Sequence, residues 1–234
     1  MFYNRTSGIN EAAFLLGFFT LLSQVLGLVR DRIFASNIGP GPILDAYYAS
    51  FKIPDFLYVS LASLASVTVI LPMLSQKFRE GSKEDRTVAH QFFNQIFTVF
   101  STVLVVVSII LFITMPWVAK FVVPGFPPES LTQVIWMSRV MLLSPIIFGI
   151  STMIGSVTQM FQKFMIYALA PILYNLGIII GALWLYPMMG SLGLALGVIM
   201  GACLHLSIQM PLLIHESFVP KFVRKINWFE IKSI

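Results

Sequence analysis

The feature that most limits what this chain can become is a run of about 20 apolar residues, repeated along its length and separated by short polar stretches. Runs of that length match the hydrocarbon thickness of a bilayer when helical. A barrel strand would alternate over about 10 residues instead. Only 11% of the 234 residues are charged, 57% are hydrophobic, and the mean hydropathy is +0.86. A water-soluble domain carries about 25% charged residues. The chain therefore reads as an all-α integral membrane protein.

Six spans are expected, at about 9–37, 44–76, 88–115, 131–158, 164–186 and 191–214, and together they make one six-helix lobe over 1–214. The second is long for a bilayer and should tilt or project. Asn37-Ile-Gly-Pro-Gly-Pro42 ends the first span, because Pro and Gly together stop a helix. Val123-Pro-Gly-Phe-Pro-Pro128 should join spans three and four, and Tyr186-Pro-Met-Met-Gly190 spans five and six. The first run is too long for a signal peptide, contains Gln24 and ends in Arg-Asp-Arg, so it is expected to remain as a span. Residues 215–234 are expected to be an amphipathic cytoplasmic tail or an inter-lobe linker. Phe218, Phe222, Ile226 and Phe229 recur at helical spacing with Lys221, Arg224 and Lys225 between them.

The positive charge orients the chain. Arg5, Lys77, Arg79, Lys83, Arg86, Lys163, Lys221, Arg224, Lys225 and Lys232 fall on one side, against Arg30, Arg32 and Lys120 on the other. Lysine and arginine favour the cytoplasm, so both termini are expected there. Trp117, Trp136 and Trp184 then fall at the outer ends of spans, where interfacial anchors belong. Topology accounts for the net charge of +5, and nucleic-acid binding is not implied.

Catalytic chemistry finds no foothold. There is no H-E-x-x-H, no G-x-S-x-G and no phosphate-cradling glycine loop with a lysine. His90, His205 and His215 are separate in sequence and read as structural or interfacial. Cys203 is the single cysteine, so there is no disulfide framework and no metal cluster, and no cofactor is expected. Glycines 177 and 181, and 193, 197 and 201, form stripes that let helices approach closely. Pro145 and Pro171 fall within spans and permit kinks. Asn175, one turn after Pro171, could cap the backbone that Pro171 frees or face a cavity.

One stretch departs from this apolar scaffold. Between Ser23 and Asp55 lie Arg30, Asp31, Arg32, Asp45, Lys52 and Asp55. Ionisable groups at membrane depth cost roughly 2.5–3.5 kcal/mol each on insertion scales, so they tend to face water or each other. Asp45, Lys52 and Asp55 share about one helix face, with Tyr48, Tyr58 and then Ser60, Ser63 and Ser66 along it. On span one, Gln24, Gly27 and Asp31 share a face, with Arg30 adjacent. Two readings are open. Either Arg30 or Arg32 pairs Asp45 while Lys52 pairs Asp55, locking two helices together, or the set lines a cavity for a charged head group.

In these residues the chain resembles the MurJ/MviN family of lipid II flippases, within the superfamily of multidrug, oligosaccharidyl-lipid and polysaccharide exporters. The matching phrases are Ser23-Gln-Val-Leu-Gly-Leu-Val-Arg-Asp31 and Asp45-Ala-Tyr-Tyr-Ala-Ser-Phe-Lys-Ile-Pro54. Pro124-Gly-Phe126, Ala170-Pro-Ile-Leu-Tyr-Asn175 and Gln209-Met-Pro-Leu-Leu213 follow in order. The resemblance implies a non-enzymatic, multi-pass protein of the bacterial inner membrane. It would move an undecaprenyl-pyrophosphate-linked glycan between leaflets by alternating access, for cell-wall biogenesis. It also implies that Arg30 contacts the pyrophosphate, that Asp45 orients or gates it, and that a second six-helix lobe completes the transporter. This chain would then be a half-transporter or a fragment. Gln24 stands where the family usually has arginine, and Asp55, Tyr58 and Val59 where it commonly has asparagine and paired arginines. The expected cavity is thus less basic than the family pattern. Two alternatives are a cation-coupled exporter of drugs or another glycolipid, and a non-transporting membrane scaffold.

Overall fold

A computed structural model describes residues 9–62, 67–78 and 83–227. Ser63, Ser66, Arg5, Arg79, Phe229 and Lys232, used in the sequence reading, lie outside these residues. All regular structure among the described residues is helical. The helices are α1 (Ile9–Asn37), α2 (Pro42–Ala62), α3 (Val67–Lys77), α4 (Lys83–Val122), α5 (Pro128–Met141), α6 (Leu143–Met160), α7 (Phe164–Ile180), α8 (Tyr186–Met189), α9 (Ser191–Ser207) and α10 (Met210–His215). Five stretches are long and apolar enough to cross a membrane: Asn10–Asn37, Glu84–Val122, Pro128–Met160, Phe164–Met189 and Ser191–His215. Helices α2 and α3 occupy the segment of the second expected span.

Prolines decide where the helices depart from the expected spans. The fourth span is two helices, broken at Leu142. Pro145 has no N–H for the Met141 carbonyl one turn back. The Ser144 hydroxyl takes that carbonyl instead, at 2.7 Å. The fifth span runs past its expected end, through Pro187 to Met189. A π turn, Gly181–Leu185, shifts the hydrogen-bond ladder, and the Tyr186 N–H reaches the Gly181 carbonyl. The turn falls at Gly190, whose φ of 59° suits glycine. Helix α4, at 40 residues, is roughly 60 Å long and outruns its expected span at both ends.

The glycine stripes pack as their spacing predicts. Gly177 faces Gly201, and Gly181 faces Gly197, so that a Cβ built on Gly197 would lie 2.7 Å from the Gly181 Cα. Helices α7 and α9 therefore meet backbone to backbone. Helix α1 lies against α7, with most of its apolar surface uncovered. Helix α2 lies against α5 and α6, and α6 against α3, α4 and α9.

Of four buried apolar clusters among the described residues, the two largest lie toward opposite ends of the bundle. One joins Phe93, Phe97 and Phe100 of α4 to Met153 and Val157 of α6 and to Phe161, Leu213 and Phe218. The other joins Phe34, Tyr47, Met137, Met141, Ile178, Leu194 and Val198. On α6, α7 and α9, the residues between these cores are left to surround a polar cavity. Trp117, Trp136 and Trp184 are all exposed, as membrane-interface anchors should be.

The tail departs from the amphipathic-helix expectation. From Glu216 to Asn227 the chain forms no helix. It runs as a strap along the first half of α4, whose side chains satisfy its backbone. Asn94 Oδ1 accepts from the Lys221 N–H at 2.8 Å, Thr98 Oγ1 from the Val223 N–H at 3.0 Å, and Gln95 Oε1 from the Asn227 N–H at 2.6 Å. His90 Nε2 lies 2.9 Å from the Val219 carbonyl, and Arg86 holds both the carbonyl and the carboxylate of Glu216. Phe218 is buried in the core, and Phe222 stacks on Phe97 with ring centroids 5.3 Å apart. The apolar period seen in the sequence serves this docking rather than a helix.

Candidate functional site: a mid-bundle cavity beside an arginine

Between the two cores lies a cavity of about 380 Å³. Helix α2 contributes Pro54, Asp55 and Tyr58; α6 contributes Ser144, Pro145, Phe148 and Thr152. Helix α7 adds Tyr167, Pro171 and Tyr174, and α9 adds His205. Phe148 is the hub of one wall. Its ring centroid lies 4.6 Å from Tyr174, 5.0 Å from His205 and 5.7 Å from Tyr58. Edge-to-face packing of this kind holds the rings in defined positions.

Most polar groups in the wall are already partnered. The Tyr58 and Thr152 hydroxyls bond each other at 3.0 Å. His205 Nδ1 lies 2.7 Å from Ser151 Oγ, and Gln209 Nε2 donates to the same hydroxyl at 2.7 Å. Thr158 reaches Gln209 Oε1 at 3.4 Å, extending this buried network behind the cavity. Tyr167 bonds Gln159. Asp55 makes no hydrogen bond or ion pair among the described residues, and it is the one acidic residue in the lining. No lysine or arginine lines the cavity.

Arg30 stands at the neighbouring α1–α7 seam. Its Nε and Nη2 both meet Asp31 Oδ1 at 2.9 Å, and its Nη1 donates to Asn175 Oδ1 at 3.2 Å. Asn175 Nδ2 points back at Ser23 Oγ (3.2 Å), the Ser23 carbonyl (3.3 Å) and the Pro171 carbonyl (3.2 Å). This one buried amide ties α1 to α7 and orients Arg30. Tyr174 lines the cavity and its chain neighbour Asn175 holds Arg30, so it stands between the cavity and the seam.

The residues singled out in the sequence separate into several places. Arg30, Asp31 and Asn175 come together, and Asp55 lines the cavity beside them. Lys52 lies elsewhere, at the edge of an apolar groove of about 540 Å³ between α2 and α4. Gln24, Arg32 and Asp45 are exposed. The expected pairs, Arg30 or Arg32 of α1 with Asp45 of α2 and Lys52 with Asp55 within α2, are absent among the described residues. Lys52 and Asp55 are only about 60° apart around α2, yet they open on different surfaces, the α2–α4 groove and the cavity. The sequence reading passed over Tyr174, Thr152, Tyr167 and the Ser151–His205–Gln209 network. Tyr174 and Gln209 sit inside phrases already noted there, whereas Thr152 carried no local signal.

A model of the family described as Lipid II flippase MurJ matches residues 34–233. The chain belongs to the MurJ family. Lipid II flippase MurJ of Burkholderia cenocepacia is 29% identical over 206 residues, covering 86% of this chain and 39% of that one. A MurJ relative of Synechocystis is 27% identical over 197 residues, covering 79% of this chain and 36% of its own length. Among solved structures, MurJ in an inward closed conformation superposes with a TM-score of 0.73 at 23% identity, over 93% of this chain and 44% of that one. A MATE transporter superposes with a TM-score of 0.68 at 14% identity, over 96% of this chain and 52% of that one. The fold is thus the one shared by these MurJ and MATE structures. The chain spans about two fifths of the length of the MurJ relatives described here. The matched region contains the whole cavity lining, while Arg30 and Asp31 lie just before it.

Proposed function

We propose that the chain forms one lobe of a flippase that carries lipid-linked peptidoglycan precursor across the bacterial cytoplasmic membrane by alternating access. A second six-helix lobe would close the transport path, and both termini of this chain would face the cytoplasm. Arg30 carries this reading. Its side chain is 26% exposed, and it is held by Asp31 and Asn175 at the α1–α7 seam next to the cavity-lining Tyr174. A planar guanidinium suits a pyrophosphate because it can donate two parallel hydrogen bonds. Membership of the MurJ family supports the cargo class.

The test is complementation. Cells depleted of this protein should lose translocation of lipid II, and the native chain, supplied with whatever second lobe it works with, should restore it. Arg30→Ala should fail to restore translocation while inserting and accumulating normally, because a partly exposed ion pair contributes only about 0–1 kcal/mol to stability. Unchanged translocation on depletion would end the reading. Loss of accumulation in Arg30→Ala would make the arginine structural. A second reading, an exporter of organic cations from the same superfamily, is favoured by the lining itself, which holds a carboxylate and no lysine or arginine.

A further inference from the structure

The Asp55 cavity and Arg30 have opposite electrostatic preferences. A pyrophosphate belongs at the arginine and not among groups whose single formal charge is a carboxylate. Within the cavity, the hydroxyls of Tyr58 and Thr152 are bonded to each other, that of Ser144 to a backbone carbonyl, and His205 to Ser151. Tyr167 is bonded to Gln159. Among the described residues, the Asp55 carboxylate, the Tyr174 hydroxyl and His205 Nε2 have no hydrogen-bond partner, and the faces of the aromatic rings are open.

That inventory discriminates between ligands. A hard metal cation wants six or more oxygen ligands, or water in their place. Here one carboxylate is the single anionic ligand in the lining, and the other side-chain oxygens are hydroxyls set against an aromatic wall. A carboxylate set among aromatic rings instead suits an organic ammonium, which gains a charge-assisted hydrogen bond and cation–π attraction. A volume of about 380 Å³ falls at the small end of ligand sites and has room for an aminoalkyl group.

We propose that this cavity is an ammonium subsite, in which Asp55, Tyr58, Phe148 and Tyr174 take a positively charged amine on the cargo's head group while Arg30 takes its phosphate. The subsite rests on the reading that the chain moves a lipid-linked precursor. It makes the lobe a two-point reader of a zwitterionic head group.

The probe is n-butylammonium, titrated into the purified full chain in nanodiscs of phosphatidylglycerol and followed by saturation-transfer NMR. Saturable binding is expected, with n-butanol, its neutral isostere, binding at least about tenfold more weakly. Asp55→Asn should weaken the ammonium roughly ten- to hundredfold, and Tyr174→Leu roughly three- to tenfold. Glu129→Gln, which removes an exposed carboxylate at the start of α5, should bind as the native chain does. Equal binding of ammonium and butanol by the native chain overturns the subsite without any variant, as does unchanged binding by a folded Asp55→Asn. Displacement of the probe by millimolar sodium would also overturn it, in favour of a metal site.

The source of the amine is read by competition. Lipid-linked disaccharide-peptide bearing a free amine should displace the probe, and the same molecule with its amine acetylated should not. Displacement by phosphatidylethanolamine alone, or by neither lipid, overturns assignment to the cargo. Because n-butylammonium binding needs no transport, loss of the flippase reading in the complementation experiment would leave this binding result standing, and the reverse also holds.

Discussion

Asn175 is the side chain on which the candidate site depends most, though it carries no charge. Its amide spans the gap between Ser23 of α1 and Arg30, from a position 8% exposed on α7. Replacing it with leucine, of similar volume, would leave Arg30 one tether short and the Ser23 hydroxyl facing an apolar group. Losing such buried hydrogen bonds costs about 1–3 kcal/mol. For a chain of this size that lowers the unfolding midpoint by roughly 2–12 °C. Thermal unfolding in detergent should show that shift in Asn175→Leu, and crosslinking of α1 to α7 should fall with it. A full loss of folded protein would instead mean that Asn175 supports the whole bundle. Much at this scale was legible. The Arg-Asp pair and the Pro-x-x-x-Asn spacing stand out in an apolar chain. That Asn175 would serve α1 instead of the proline-freed backbone was not legible, because the choice depends on which helix lies alongside.

At the level of elements, hydropathy showed where helices run because a bilayer leaves the backbone few other options. It could not show how they break. The Leu142 break needed the Ser144 hydroxyl as a substitute partner, and the path of the helix through Pro187 needed a π turn. The strap was misleading for a related reason. Its aromatic spacing is helical, but α4 holds Asn94, Gln95 and Thr98 in a row that offers its backbone better-placed partners. The glycine stripes were the easiest to read, since only close approach rewards five small residues in register. Gly197→Leu should therefore do more harm to folding than any change at Arg30. The new side chain would meet the Gly181 backbone, and α7 could not yield without dragging the π turn. Overpacking of this kind typically costs 1–3 kcal/mol or more. Folded yield from size-exclusion chromatography should drop severalfold in Gly197→Leu and stay near normal in Arg30→Ala. The opposite order would mean that α7 and α9 can separate freely.

Across the whole molecule, the least settled surface belongs to α1. Its apolar residues Phe14, Phe18 and Leu22 are exposed, as are Gln24 and Asp31. Lipid can cover the first set. The second set is costly against hydrocarbon and suits water. At 100° per residue, Gln24 and Asp31 lie within about 20° of each other, while Leu22 lies about 160° away. If a second lobe encloses a path beside α1, the Gln24 stripe should be wet and the Leu22 side should be in lipid. Cys203 is the single native cysteine and is exposed, so a Cys203→Ser background is required. In that background, Gln24→Cys should react with a charged, membrane-impermeant thiosulfonate at least about tenfold faster than Leu22→Cys, because charged reagents need the thiolate and water around it. Supplying a candidate second lobe should preserve that ratio while slowing both reactions. Equal rates would place α1 wholly in lipid and remove it from any transport path, leaving Arg30 to serve α7 alone.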